Sequence, residues 1–414
     1  MRLFNNRRGR HIADGRPSTL RVVALLTAVF AAILSCRHSA FAEVSYFPIP
    51  SVSTSRNDSN DAGFIAPMLM TAPNGELKYL IAPMFIVNSI VGARGSLNLF
   101  HYGPGGKQLR FIGSYTEEIE RKLVLSYFDP AFGNGRYLLD TGASFFKNAT
   151  SRFFGISQQT AEGDETNYTA REVRVNLKLG LYLNEVTQVA FGMRYREVRV
   201  QRGAIEALPF SAAVFPSVDG MQGASILGHR VVFQYDTRDS LVTPTVGSAV
   251  TVYAELNQNL RSGDNPVYYR YGLEIKKLFP SESKRMILVI RGDLQTTFGR
   301  QVPFYEQSSL GGQNNLRGYG ADRFIDDHLV SLSIEQRIHV MRAKLFNVAA
   351  DFEVTPFVDM GKVFNTVRKR ALRDYEVTPG IGFRALVRPS MVGRIDYGYS
   401  PEGGAVFAGL DFPF

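Results

Sequence analysis

The chain is poor in the residues on which much soluble enzyme chemistry rests. Of its 414 residues none is tryptophan and one is cysteine, Cys36, inside the first 42 residues. Beyond that segment there is no thiol, which excludes disulfides and cysteine-held metals. The later histidines are His101, His229, His328 and His339, with no pair at a helical metal-binding spacing. No Gly-x-Ser-x-Gly occurs, so the usual nucleophile elbow is missing. Asp322, Asp326, Asp327 and His328 lie close in sequence and could gather a cation, but a hydrated loop end accounts for them more simply. No cofactor and no metal are expected. The apolar run Val22–Leu34 is thirteen residues, short of the roughly 20 that a spanning helix needs.

The formal charge of +9 invites a nucleic-acid reading, which its location opposes. Arg2, Arg7, Arg8, Arg10, Arg16, Arg21 and Arg37 all precede residue 43 and face only Asp14. Residues 1–42 read as a secretory signal peptide: an arginine-rich start, the apolar run, and Ala40-Phe41-Ala42 as a small-x-small cleavage site. The residues after Arg7-Arg8 do not fit a twin-arginine signal. Ile33-Leu34-Ser35-Cys36 is a poor lipoprotein site, because Leu34 is bulky where a small residue is usual. Residues 43–62, rich in proline and serine, are expected as an extended periplasmic lead-in before a domain spanning 63–414.

What the remainder has is alternation. From Val173 to Leu183 every odd position is apolar, and the even ones carry Arg, Asn, Lys, Gly and Tyr. That is a strand with one oily and one wet face. Alternation alone does not say where the oily face points, since a soluble sandwich alternates as well. Strand candidates of ten or more residues recur, against about 5–6 in a usual soluble strand and about 9–11 in a transmembrane one. Phe and Tyr cluster near strand ends, as at Tyr268-Tyr269 and Tyr397-Gly398-Tyr399, which suits interfacial girdles. The wet faces carry charges that a packed sandwich core could not hold cheaply. The expected fold is all-β, a transmembrane antiparallel β-barrel of sixteen strands from Lys78–Ile90 to Val406–Phe414, with Gly63 to Met70 as an extra candidate. The long connections fall at 148–169, 200–227 and 299–324.

The last of these holds Ser308–Phe324, SSLGGQNNLRGYGADRF, in which Leu316-Arg317-Gly318-Tyr319 is flanked by Gly311, Gly312 and Gly320. In the following strand Glu335 shares the wet face with Ser331, Ser333 and Arg337, and Asp359 is out of phase with Val358 and Met360. Both acids should therefore point into the lumen. If the loop folds in, Arg317 would be a charge-assisted anchor between them, with Gly318 permitting the turn and Tyr319 against the wall.

These residues resemble the bacterial surface antigen family of outer-membrane barrels, which includes outer-membrane insertases and two-partner secretion transporters. Leu316-Arg317-Gly318-Tyr319 looks like the family's (Val/Ile/Leu)-Arg-Gly-(Phe/Tyr) loop, and Phe357-Val358-Asp359-Met360-Gly361 like the strand motif whose aspartate holds the loop arginine. Asp236-Thr237-Arg238-Asp239 followed by Pro244-Thr245-Val246-Gly247 is similar to its Asp-Thr-Arg-Asp…Pro-Thr-x-Gly segment. The family motif residues are then Asp236, Thr237, Arg238, Asp239, Gly247 and Gly361. Ser151–Ile156 looks like a Phe-Phe/Tyr-Gly-Ile/Leu segment found in part of the family. Only about 20 to 35 residues separate the leader from the first strand candidate, too few for one of the family's periplasmic polypeptide-transport-associated domains. The alternating end, with Phe412 and Phe414, resembles a C-terminal signal for the barrel-assembly machinery, and Pro413 departs from the commoner pattern.

The expectation is a non-enzymatic barrel in the bacterial outer membrane, taking part in protein or lipid insertion or transport. Its expected partners are outer-membrane lipid, the assembly machinery during biogenesis and an unidentified client, with no nucleic acid. The rival expectation is a passive diffusion channel or structural surface antigen on the same scaffold.

Overall fold

A computed structural model describes residues 43–413, apart from 47, 56–58, 118, 346–347, 367–372, 389–390 and 410–411. The expected signal peptide and Phe414 lie outside the described residues. The strands are β1 (Glu43–Tyr46), β2 (Ile49–Ser55), β3 (Ser59–Ile65), β4 (Met68–Thr71), β5 (Leu77–Asn88), β6 (Gly92–Tyr102), β7 (Gln108–Thr116) and β8 (Arg121–Phe132). Then come β9 (Tyr137–Phe153), β10 (Thr166–Asn184), β11 (Thr187–Arg202), β12 (Ala224–Asp236), β13 (Gly247–Asn259), β14 (Val267–Pro280) and β15 (Met286–Gly299). After the short pair β16 (Ser308–Leu310) and β17 (Phe324–Asp326) follow β18 (His328–Leu345), β19 (Val348–Phe364), β20 (Glu376–Val387), β21 (Met391–Ser400) and β22 (Gly403–Gly409).

From β5 to β15, and on through β18 to β22, each strand pairs antiparallel with the next. β16 and β17 stand apart as a two-stranded sheet inside the connection between β15 and β18. Because successive strands are antiparallel, the long connections 154–165, 203–223 and 300–327 lie at one end of the barrel.

The distribution of side chains is inverted relative to a soluble protein. Val175, Leu177 and Leu179 on β10, Phe191 on β11 and Phe233 on β12 are exposed, whereas Glu255, Glu335, Asp359, Arg384 and Asp396 are buried. Apolar residues outside and charges inside are what a lipid-facing wall around a polar lumen requires. At 19 residues β10 exceeds the roughly 9–11 needed to cross, so it projects beyond the apolar belt.

The large sheet has 20 strands among the described residues, not the expected sixteen. The difference lies at the start. The expected lead-in, 43–62, and the extra candidate, Gly63 to Met70, together form a hairpin, β1 and β2 against β3 and β4, which pairs with β5 on one side. On the other it reaches β22 through one residue pair, Thr54 with Val406. An unpaired strand edge cannot be left in hydrocarbon, and the hairpin covers the edges of both β5 and β22. Its prolines and serines hide the alternation, and its partner strand is the far end of the chain.

Candidate functional site

The connection from β15 to β18 folds back into the barrel. Gly311, Gly312 and Gly318 adopt positive φ, and at Gly318 a side chain would meet Thr378 and the backbone of Tyr399. Leu310, Leu316, Tyr319 and Phe324 of this loop pack with Leu329 and Val363 of the wall. The Tyr319 hydroxyl donates to Glu376 at 2.5 Å. Burial and that carboxylate both raise its phenol above the ordinary value, so it stays a donor.

The structure brings together Arg317, Glu335 and Asp359. Arg317 donates to Asp359 Oδ2 from its backbone N–H (3.0 Å) and from Nε (2.8 Å), and to Oδ1 from Nη2 (2.8 Å). Nη1 donates to Glu335 at 2.5 Å. The guanidinium lies 3.5 Å from the centroid of the Phe357 ring, which gives the Phe of the strand motif its place. Arg317, Glu335 and Asp359 are all 0% exposed, so solvent does not dilute these contacts.

Around this core stand residues that the motifs do not contain. Asp396 accepts from Arg394 at 2.9 Å, forms an ion pair with Arg384 at 2.7 Å, and lies 3.8 Å from Arg317. Arg384 and Arg337 approach Glu335 at 3.5 and 3.6 Å. Gly398 lies so close to Arg317 that an added Cβ would collide with the arginine's carbonyl oxygen. Ser400 donates to the Gly318 carbonyl at 2.8 Å. The signal for them was available: on β21 every even residue from Val392 to Ser400 is buried, which is the wet face of an alternating strand.

The other motif sits elsewhere. Asp236, Thr237, Arg238, Asp239 and Gly247 build the turn between β12 and β13. Arg238 forks onto Asp236 through Nε (3.0 Å) and Nη2 (2.7 Å), and Asp239 takes the N–H groups of Thr245 (2.8 Å) and Val246 (3.2 Å). Gly247 has φ +113°, with the Thr237 carbonyl where a Cβ would go. The turn meets the central network through Arg337, which donates to the Pro244 carbonyl at 3.5 Å. Gly361 serves the loop directly, since the Leu310 side chain fills the space over it.

The Phe412 ring lies 3.7 Å from the Arg337 guanidinium, within cation–π range of a buried arginine.

The Phe153-Phe154-Gly155-Ile156 segment closes over the loop. The Ser157 N–H donates to the Ile325 carbonyl at 2.9 Å, and the Arg323 guanidinium lies 4.2 Å from the Phe154 ring. Phe153 and Tyr168, at the ends of β9 and β10, form one apolar cluster with Met221 of the 203–223 connection and Phe304 and Ile325 of the 300–327 connection. No group of residues able to hold a metal ion is found among the described residues.

Fold and site define a transmembrane antiparallel barrel whose own loop is fixed inside the lumen by an arginine. The chain belongs to the Omp85 superfamily, whose domain matches residues 104–398, and it is an outer-membrane β-barrel. Among solved structures it is similar to BamA from Haemophilus ducreyi lacking POTRA domains 1–3, with 16% identity and a TM-score of 0.55 over 92% of this chain and 76% of that one. It is also similar to CdiB from Acinetobacter baumannii, with 12% identity and a TM-score of 0.51 over 89% of this chain and 66% of the other. At these identities the likeness is one of fold. No curated protein matches the chain in sequence.

Proposed function

We propose that this barrel is a non-enzymatic insertase or transporter acting on protein or lipid at the outer membrane, closed at rest by its own 299–324 loop. The observation that carries the reading is Arg317, fully buried and held by Asp359 and Glu335 against the inner wall of the barrel. A loop so fixed, under an apolar cap, favours a gated conduit over a permanently open pore. Superfamily membership points to the same class of activity. The exposed apolar belt fits direct contact with outer-membrane lipid, and the barrel-assembly machinery is the expected partner during biogenesis.

Single-channel recording of the purified full chain in planar bilayers, together with depletion in cells, tests this. Long closed periods with brief openings, and depletion that lowers assembly of other outer-membrane proteins or lipid, are the expected results. Steady wide conductance with no assembly defect would instead identify the passive channel.

A further inference from the structure

The loop carries a second buried charge that neither the motifs nor the proposed function uses. Glu306 ends a single helical turn, Phe304–Glu306, at the start of the loop and is 0% exposed. Its carboxylate faces the wall formed by β11 to β14. Arg194 donates to it from Nη1 (3.0 Å) and Nη2 (2.5 Å), Arg196 from Nη1 (2.7 Å), the Tyr268 hydroxyl at 2.9 Å, and Arg270 from Nη1 at 3.4 Å. Arg196 also donates to the Tyr305 carbonyl at 2.7 Å, fixing the backbone beside it.

These arginines are shared. Arg194 holds Glu255 at 2.6 Å, and Arg196 holds Glu172 at 3.0 Å. Arg230 also donates to Glu255. Arg174 also pairs with Glu172. Arg174, Arg194, Arg196, Arg230 and Arg270 therefore face Glu172, Glu255 and Glu306, and removing Glu306 leaves five cations against two acids. Burial opposes the Glu306 charge, but Arg194 and Arg196 hold its carboxyl well below the usual range.

This arrangement is the Arg317 site with the signs exchanged. There a loop cation enters a set of wall acids on β18, β19 and β21. Here a loop anion enters a set of wall arginines and a tyrosine on β11 and β14. Among the described hydrogen bonds and ion pairs, Glu306 and Arg317 share no partner. Their apolar surroundings differ too: Phe304 belongs to the cap cluster with Phe153, Tyr168 and Met221, whereas Leu316 and Tyr319 pack on Leu329 and Val363.

We infer that Glu306 is a second anchor of the loop, opposite in charge to Arg317 and independent of it, and that it fixes the cap while Arg317 fixes the loop tip. The loop is then a strap held to two stretches of the wall. It leaves the lumen only when both ends are free. This goes beyond the proposed function, because it concerns the loop and not the client.

The test uses the full barrel in planar bilayers and as folded protein under protease. Glu306→Gln is expected to raise the open fraction at least tenfold and to shift the reversal potential toward anions, because the arginines lose their counter-charge. A merely structural lesion would not produce that shift in selectivity. Glu306→Asp should restore part of both. Combined with Arg317→Ala, the two effects on loop cleavage should multiply, as independent anchors require. Opening and selectivity unchanged in Glu306→Gln, or an effect that disappears in the Arg317→Ala background, overturns the inference. Should Glu306→Gln fail to assemble, Tyr268→Phe removes one donor with little change of shape. A smaller shift in the same direction supports the anchor, and none refutes it.

Discussion

Replacing Arg317 by alanine removes two of the three donors to Asp359 and the strongest donor to Glu335. Glu335 keeps Arg384 and Arg337 at 3.5 and 3.6 Å, but among the described residues no other ion pair reaches Asp359. A buried carboxylate deprived of its partner costs about 3–5 kcal/mol. At about 1.4 kcal/mol per tenfold, the loop should open roughly a hundred to a few thousand times more often. Asp359→Ala is the milder change, toward about 3 kcal/mol, because Glu335 and, at 3.8 Å, Asp396 still face the guanidinium. The double variant should be little worse than Arg317→Ala, since it removes the orphaned charge along with its partner. Arg317→Lys should not rescue, because an ammonium cannot fork onto both oxygens of Asp359 while reaching Glu335. Protease cleavage of residues 299–324, on intact cells and on the folded barrel, measures loop opening directly. If both single variants protect the loop as well as the parent does, or if their costs simply add, the anchor argument fails.

Two further outcomes follow from the same geometry. Gly398→Ala places a methyl group on the Arg317 carbonyl with no flexible side chain to yield, so it should evict the loop at a cost of about 1–3 kcal/mol or more, whereas Gly292→Ala, with open space around it, should be silent in the same cleavage assay. Asp326, 4% exposed on the loop sheet, has its carboxyl pushed up by burial to about 6. An acid whose folded value is raised favours the fold below its unfolded value near 3.8 and loses that contribution as pH rises to about 6. Loop protection should accordingly fall between pH 4 and 6, and Asp326→Asn should flatten that part of the profile.

What the sequence discloses depends on whether a residue's surroundings are periodic. Glu335 and Asp359 lie in regular strands, so their phase places them on the lumen side, and the glycines around Arg317 mark a loop able to turn inward. Asp396, Gly398 and Ser400 obey the same phase on β21, but no motif draws attention to them. Glu306 could not be placed at all. It sits in an aperiodic stretch, and its partners on β11 and β14 come from 36 to 112 residues away. Of the hairpin β1–β4, Gly63 to Met70 was legible as a strand candidate, whereas β1 and β2 escaped because their composition reads as a linker and their partners are set only when the barrel forms.

That the loop is fixed by buried charges is itself informative. Well-packed apolar groups in place of buried ion pairs are often as stable or more so, so stability is a weak reason to keep Arg317, Arg384, Glu335, Asp359 and Asp396 at 0 to 2% exposure. What charges supply is a unique position. Three donors from one arginine converge on one carboxylate, and the Gly398 contact leaves no room for a neighbouring register. Charges also make departure feasible, because a guanidinium and a carboxylate leaving the wall for water recover their hydration, while an apolar plug would lose its reason to leave. A strap with an arginine at one end and a glutamate at the other is therefore specific when closed and soluble when open, which a gate in a water-filled lumen requires.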